Sequence, residues 1–347
     1  MLYAYILAGA DAGAGGGIYS YEVKDSGRLE PASYIALPCP TYAVISDGGI
    51  YVVCRHAVGG TDRFGRAADS AVTRVPLGPG GNFGEPSPFW PTEGVTGCHV
   101  DYMDTADGKI LFTANYSSAL ISRLAPEKDG YVCAAAVIHG APDGTHGRFD
   151  SRAYLHQSLV CDGCVFAVDL GRDEVDVYDP DLNFVSSCSL AKGTGPRHII
   201  FRGENGWTVN ELTSTVCRFK WDRIARRLSY IETYDLLPDG SSDEYRLACA
   251  GAAIRISGDS LYACVRLDNS VTAFDILPDG ALAKKQYIKC GGDWPRDINL
   301  TPDGKYLYSA NEREGSVTVF SAGDVGLSFI GDTARLPLPN NILFAEN

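Results

Sequence analysis

The chain has 347 residues, 45% of them hydrophobic and 21% charged, with 39 Gly and 18 Pro, so it can bury a large core and must turn often. Forty-three acidic residues against 30 basic ones give a formal net charge of −13, which disfavours nonspecific attraction to nucleic acid or to anionic lipid. An anionic small ligand would therefore need a local cluster of arginines.

The N-terminal MLYAYILAGADAGAGGG has no basic region, and its apolar run of about nine residues falls well short of the roughly 20 that cross a bilayer. The expected location is the cytoplasm, with no membrane partner. Within this segment AGAGGG (12–17) lacks both the GxGxxG spacing and a following helix, so it reads as a flexible turn between two strands and implies no dinucleotide. Eleven scattered cysteines, odd in number, fit reduced thiols in the core.

In chain order, LYAYILAG, GIYSYEV and PASYIAL supply three strands, and then one motif recurs: strand, tight turn, strand. It appears as YAVISDGGIYVVCR (42–55), HVDYMDTADGKILFTANY (99–116), HQSLVCDGCVFAVDL (156–170), HIIFRGENGWTVNE (198–211), AIRISGDSLYACVR (253–266) and DINLTPDGKYLYSANE (297–312). A third strand of period two follows, as in SVTAFDI (270–276) and SVTVFSA (316–322), then a turn and a fourth strand. Four antiparallel strands per unit describe a β-propeller blade. Six units are complete, and NNILFAEN at the C-terminus can give the N-terminal three strands their missing inner partner. The expectation is an all-β, seven-bladed β-propeller, a single domain over 1–347, closed by the C-terminal strand joining the N-terminal strands.

Segments 59–84 and 141–153 read as loops. Cys161 and Cys164 form a CxxC, but Asp162-Gly163 between them is a hairpin turn and no second metal-ligand pair follows. The lone Trp221-Asp222 lies outside the repeated position, which argues against a WD40 array. No Gly-x-Ser-x-Gly suggests a serine hydrolase.

Residues at equivalent positions of different blades converge on the central channel. At the starts of inner strands stand His99, His156, Arg197 with His198, and Arg296 with Asp297; at the ends of second strands stand Arg55, Tyr116, Glu211, Arg266 and Glu312. An antiparallel hairpin sets these two groups at the same end of the channel. Such a mixture suits an anion held by Arg, with His or Glu moving protons. The same charges would also serve as ion pairs that lock blade to blade.

The units GPRHIIF…VNE, HQSLV…VDLGRDEVDVY and INLTPDGKYLYSANEREGSVTVF, and within them PRH at 196–198, NE at 210–211 and DLG at 169–171, resemble the lactonase family of seven-bladed propellers. That family includes propeller-type 6-phosphogluconolactonase and the 3-carboxy-cis,cis-muconate lactonizing enzyme. The resemblance implies an active-site set of His156, Arg197, Glu211 and Arg266. His99, His198, Arg296 and Arg55 are the further candidates for substrate contact. Two departures from the family pattern stand out: Ala153-Tyr154-Leu155-His156 where the family has Pro-His-x-His, and Ala252-Ala253 where it has an acidic residue.

The implied reaction is hydrolysis of a small anionic lactone, most simply 6-phosphoglucono-1,5-lactone in the pentose phosphate pathway, with no metal and no other cofactor. His156 or Glu211 would be the base, and Arg197 and Arg266 would hold the anion and the oxyanion. Two alternatives use the same cavity: lactonization of an unsaturated dicarboxylate, and a non-catalytic propeller that binds an anionic metabolite or a protein partner. A calcium-dependent gluconolactonase would need clustered oxygen ligands where Arg and His dominate.

Overall fold

The structure, a computed structural model, describes residues 1–140 and 153–347. Its strands form seven four-stranded antiparallel sheets plus one small hairpin, with the inner strands touching one another in a closed ring. Blade I consists of Leu2–Ala8, Gly17–Val23 and Leu29–Ala36, with Pro339–Glu346 as its inner strand. The register of that closure runs from Leu2 opposite Glu346 to Ala8 opposite Pro339. The inner strands of blades II to VII are Pro40–Ser46, Gly97–Thr105, Leu155–Cys161, Pro196–Arg202, Ala250–Ser257 and Pro295–Leu300.

Second strands such as GIYVVC (Gly49–Cys54) and CVFAVD (Cys164–Asp169) are buried at every position, because each is sandwiched between two neighbouring blades. The core accordingly lies between blades rather than inside one. Trp207, Val209 and Val216 of blade V pack with Leu261, Ala263, Val265 and Phe274 of blade VI, and Tyr308, Ala310 and Val319 of blade VII close onto Ala4, Ile6 and Ala8 of blade I. A buried Asn repeats at the end of second strands. Asn311, for example, accepts from the Ser309 hydroxyl and donates to Ser316 and Thr318 on the next strand, which satisfies the hairpin's polar groups out of water.

Segment 59–84, read from sequence as a loop, is more ordered than that. It carries a small hairpin of Gly60–Thr61 with Ala67–Ala68, and then Ala71–Pro76, the third strand of blade II; Trp90–Pro91 is the short fourth strand. The inserted hairpin displaces this strand from its usual spacing and hides the repeat. Segment 141–153 lies, apart from Ala153, outside the described residues. AGAGGG holds one 3₁₀ turn, Ala12–Ala14, between two strands. Asp162 and Gly163 both have positive φ (49° and 71°), as a two-residue hairpin turn requires, and all eleven cysteines are free. Helix among the described residues is confined to short turns and to Asp243–Ala248, capped by the Ser242 hydroxyl. None is long and apolar enough to cross a membrane.

Candidate active site at the channel mouth

Every inner strand carries the same irregularity. Its register slips between Pro40 and Tyr42, Gly97 and His99, Leu155 and Gln157, Pro196 and His198, and Pro295 and Asp297; the slip in blade VI spans Gly251 to Ile254, and that in the closing strand falls between Pro339 and Asn341. A bulge adds one unpaired residue and re-aims its side chain. The added residues are Thr41, Cys98, His156, Arg197, Ala252 with Ala253, Arg296 and Asn340. The bulge also explains how Arg197 and His198, adjacent in a strand, both serve the channel: Arg197 occupies the bulge and His198 the next layer down.

Glu211 is fixed by its backbone. Its N–H donates to Gly195 O at 2.6 Å, and its carbonyl accepts from Gly251 N at 3.2 Å, tying blade V to blade VI. Gly251 permits this approach, since a Cβ there would lie 2.3 Å from Asn210 O. The Glu211 carboxylate oxygen Oε2 then stands 2.6 Å from Arg266 Nη2 and 3.3 Å from Arg197 Nε. Main-chain carbonyls of blade VI orient both guanidiniums: Arg197 Nη1 donates to Ala252 O (2.5 Å), and Arg266 donates to Gly251 O (3.0 Å) and Ala250 O (3.4 Å).

In blade VII, Arg296 pairs with Glu312 at 3.4 Å. His156 packs edge-on against Tyr116 (ring centroids 5.6 Å apart) and against His198 (5.1 Å). Below them Tyr42 stacks on His99 at 4.1 Å, and His99 lies 5.6 Å from His198. Both ring nitrogens of His198, and Nδ1 of His99 and of His156, are buried without a hydrogen-bond partner. Asp297, by contrast, is committed to structure: it pairs with Arg255 at 2.7 Å and accepts from Asn341 Nδ2 and Ile342 N of the closing strand.

Burial, then the charges of Arg197, Arg296 and Arg266, hold His156 well below its usual range. Burial and Arg197 do the same to His198, and burial and Arg255 bring His99 down to about 3. Arg197 falls to about 10, through burial and its neighbours Arg266 and Arg296, and stays cationic at neutral pH. Asp101, one layer deeper, is raised to about 6 by burial.

These depressed histidines make stability depend on pH. Unfolded imidazoles titrate near 6.5 and the three folded ones well below, so unfolding takes up as many as three protons as pH drops beneath 6.5. Stability should be greatest above that pH and fall toward acid, with a slope approaching about 4 kcal/mol per pH unit. Thermal unfolding followed from pH 7.5 to 5 checks this: the Tm should drop steeply below 6.5, and a level Tm across that range would show that the histidines charge freely in the fold.

Of the residues singled out from sequence, His156, Arg197, Glu211 and Arg266 come together, with Arg296 close enough to depress both His156 and Arg197. His99 and His198 are not at the mouth itself but in the layer beneath it, which corrects the expectation of a single rim. Arg55 stands on the matching strand end in blade II, where its N–H donates to Cys39 O, and makes no ion pair with Glu211 or Glu312. Sequence reasoning missed Tyr42, Arg255 and Trp294. Tyr42 could have been found by aligning it with His99 and His198, the residues just after the bulge. Among the described residues no three or more His, Cys, Asp or Glu side chains are arranged to hold a metal ion.

The family model for the lactonase, 7-bladed beta-propeller, matches residues 4–344. The 6-phosphogluconolactonase of Bacillus subtilis is 26% identical over 349 aligned positions, covering 96% of this chain and 95% of that protein. Among solved structures, the periplasmic gluconolactonase of Pseudomonas aeruginosa superposes with a TM-score of 0.84 at 22% identity, over 100% of this chain and 99% of the other. A Lactobacillus plantarum protein gives 0.86 at 22% identity over the whole of both chains. The closed seven-bladed ring and the full-length family match together establish that this chain belongs to the lactonase family of seven-bladed β-propellers.

Proposed function

We propose that this protein hydrolyses a phosphorylated sugar lactone, 6-phosphoglucono-1,5-lactone, to 6-phosphogluconate at the channel mouth, as a cytoplasmic step of the pentose phosphate pathway. The observation that carries the reading is the convergence of Arg197, Arg266 and Arg296 on His156, where Glu211 and Glu312 are the carboxylates paired with these arginines among the described residues. Among the described residues, three guanidiniums against two carboxylates leave a net positive cluster on an acidic protein, and that excess suits an anionic ligand. Eleven free thiols fit a reducing compartment.

In this reading the lactone carbonyl points at Arg197 and Arg266. Arg197 Nη2 and Arg266 Nη1 have no hydrogen-bond acceptor among the described residues, so they are available to the oxyanion that forms there. His156 is the base and Glu211 holds the two guanidiniums. Water oxygen bonds to C1 as its proton passes to His156; the bond from C1 to the ring oxygen then breaks, and that proton goes to the C5 oxygen. His156 is a weak base in the empty site because of burial and the three arginines. An anion on those arginines cancels part of that positive field, so proton uptake is coupled to substrate binding and oxyanion formation.

The test is the initial rate with freshly made 6-phosphogluconolactone against a spontaneous-hydrolysis blank. A rate well above the blank is expected, flat as pH falls from 7.5 to 5.5 because the free imidazole stays neutral there. A rate equal to the blank would refute hydrolysis; if the protein nonetheless binds 6-phosphogluconate, the site is a binding site only.

A further inference from the structure

We infer that Arg313, shelved on the ring of Trp294, is the residue that recognises the distal anionic group of the substrate and sets the preference for phosphorylated over neutral lactones. This rests on the reaction proposed above and adds a specificity residue to it.

The three arginines at the bottom of the mouth are each ion-paired, and the nitrogens left open on Arg197 and Arg266 serve the reacting carbonyl. Arg197 and Arg266 share Glu211 and three backbone carbonyls, and Arg296 has Glu312. Arg313 directly follows Glu312, on the turn that leaves the same strand end at the rim. It is exposed and, among the described residues, has neither an ion pair nor a hydrogen bond to an acceptor. The carboxylates beside it are taken: Glu314 accepts from Asp293 N and pairs with Arg335, and Asp293 accepts from Asn269. Its guanidinium instead lies 3.2 Å from the centroid of the Trp294 ring. A cation held over an aromatic face keeps all its donors open while losing conformational freedom before ligand arrives.

Trp294 is placed for this at some cost. Its φ of 66° is in the left-handed region, unfavourable for a bulky residue, and two backbone bonds hold it there: its N–H donates to Asn269 Oδ1 and its carbonyl accepts from Glu312 N, each at 2.9 Å. The same ring lies 5.5 Å from the Arg266 Cζ, which keeps the Arg266 and Arg313 guanidiniums within about 9 Å of one another. Trp294 thus lies against both Arg266, at the reacting end of the site, and a free cation at the rim. A small ligand with a carbonyl at one end and a phosphate at the other can span them.

The experiment compares kcat/KM for 6-phosphogluconolactone and for glucono-1,5-lactone in the wild type, Arg313→Gln, Arg313→Lys and Trp294→Leu, with calorimetric binding of 6-phosphogluconate and gluconate to each. For Arg313→Gln the ratio of phosphorylated to neutral kcat/KM should fall about tenfold or more, chiefly through KM, with a partial recovery in Arg313→Lys. Trp294→Leu should lower the ratio in the same direction. An unchanged ratio in Arg313→Gln, or an equal loss on both lactones, overturns the assignment while leaving the hydrolase reading intact. If the wild type hydrolyses neither lactone, selective loss of 6-phosphogluconate binding in Arg313→Gln still supports the anion site, and equal binding in both proteins sinks it. A wild type that binds neither acid and opens neither lactone overturns both readings.

Discussion

Replacing His156 with Ala should lower turnover of the phosphorylated lactone by about 10² to 10⁴, the range that a positioned acid–base group contributes. The residue sits on the bulge of blade IV with Nδ1 buried and unpartnered, 5.6 Å by ring centroids from Tyr116 and under the field of three arginines. Its removal takes away the proton acceptor but leaves Arg197, Arg266 and Glu211 in place, so KM should change much less than kcat. Glu211→Gln should show a different pattern. The carboxylate lies between two guanidiniums, so its neutral analogue leaves their repulsion uncompensated, loosens both and raises KM as well as lowering kcat. Steady-state kinetics on the two variants separates base from positioning residue: wild-type turnover in His156→Ala removes it from the chemistry, and a large kcat loss confined to Glu211→Gln would move the base there.

Deleting residues 340–347 should cost at least about 5 kcal/mol, comparable to the whole stability of an ordinary domain. The deleted stretch is nearly all of the inner strand of blade I, pairing from Leu2 to Leu7. Its loss would expose Tyr5, Ile6 and Leu7, all fully buried, along a bare strand edge. It would also strip Asp297 of the Asn341 and Ile342 donors, leaving a buried carboxylate with Arg255 alone. Circular dichroism melts and sedimentation check this. The truncated chain should be unfolded or aggregated at room temperature, and a cooperative transition at the full-length Tm would mean that the ring does not depend on its closing strand.

The ring itself was legible in the sequence because a propeller repeats one hairpin, and tight turns such as Asp162-Gly163 punctuate it at residues forced to positive φ. The closing strand was legible for the same reason, as the one inner partner missing from the N-terminal set. Blade II hid its third strand because the Gly60–Thr61 hairpin pushed Ala71–Pro76 out of the expected spacing. At the site, the charged residues at matching strand ends included His156, Arg197, Glu211 and Arg266, which the fold brings close together. Depth was not legible. Plain period-two alternation puts Arg197 and His198 on opposite faces, and only the bulge, a backbone event with no residue signature of its own, stacks them in successive layers of one channel. Trp294 escaped notice because its role depends on an unusual backbone angle and on cations brought from blade VI and from the next turn of blade VII.

The most direct test of the central claim, that the lactone is opened at this mouth, is a crystal structure of the protein with 6-phosphogluconate bound. The account predicts the C1 carboxylate on Arg197 and Arg266, His156 within hydrogen-bond reach of it, and the phosphate extending toward Arg313. Product bound at the opposite end of the channel, or only on the outer rim of the blades, would contradict it.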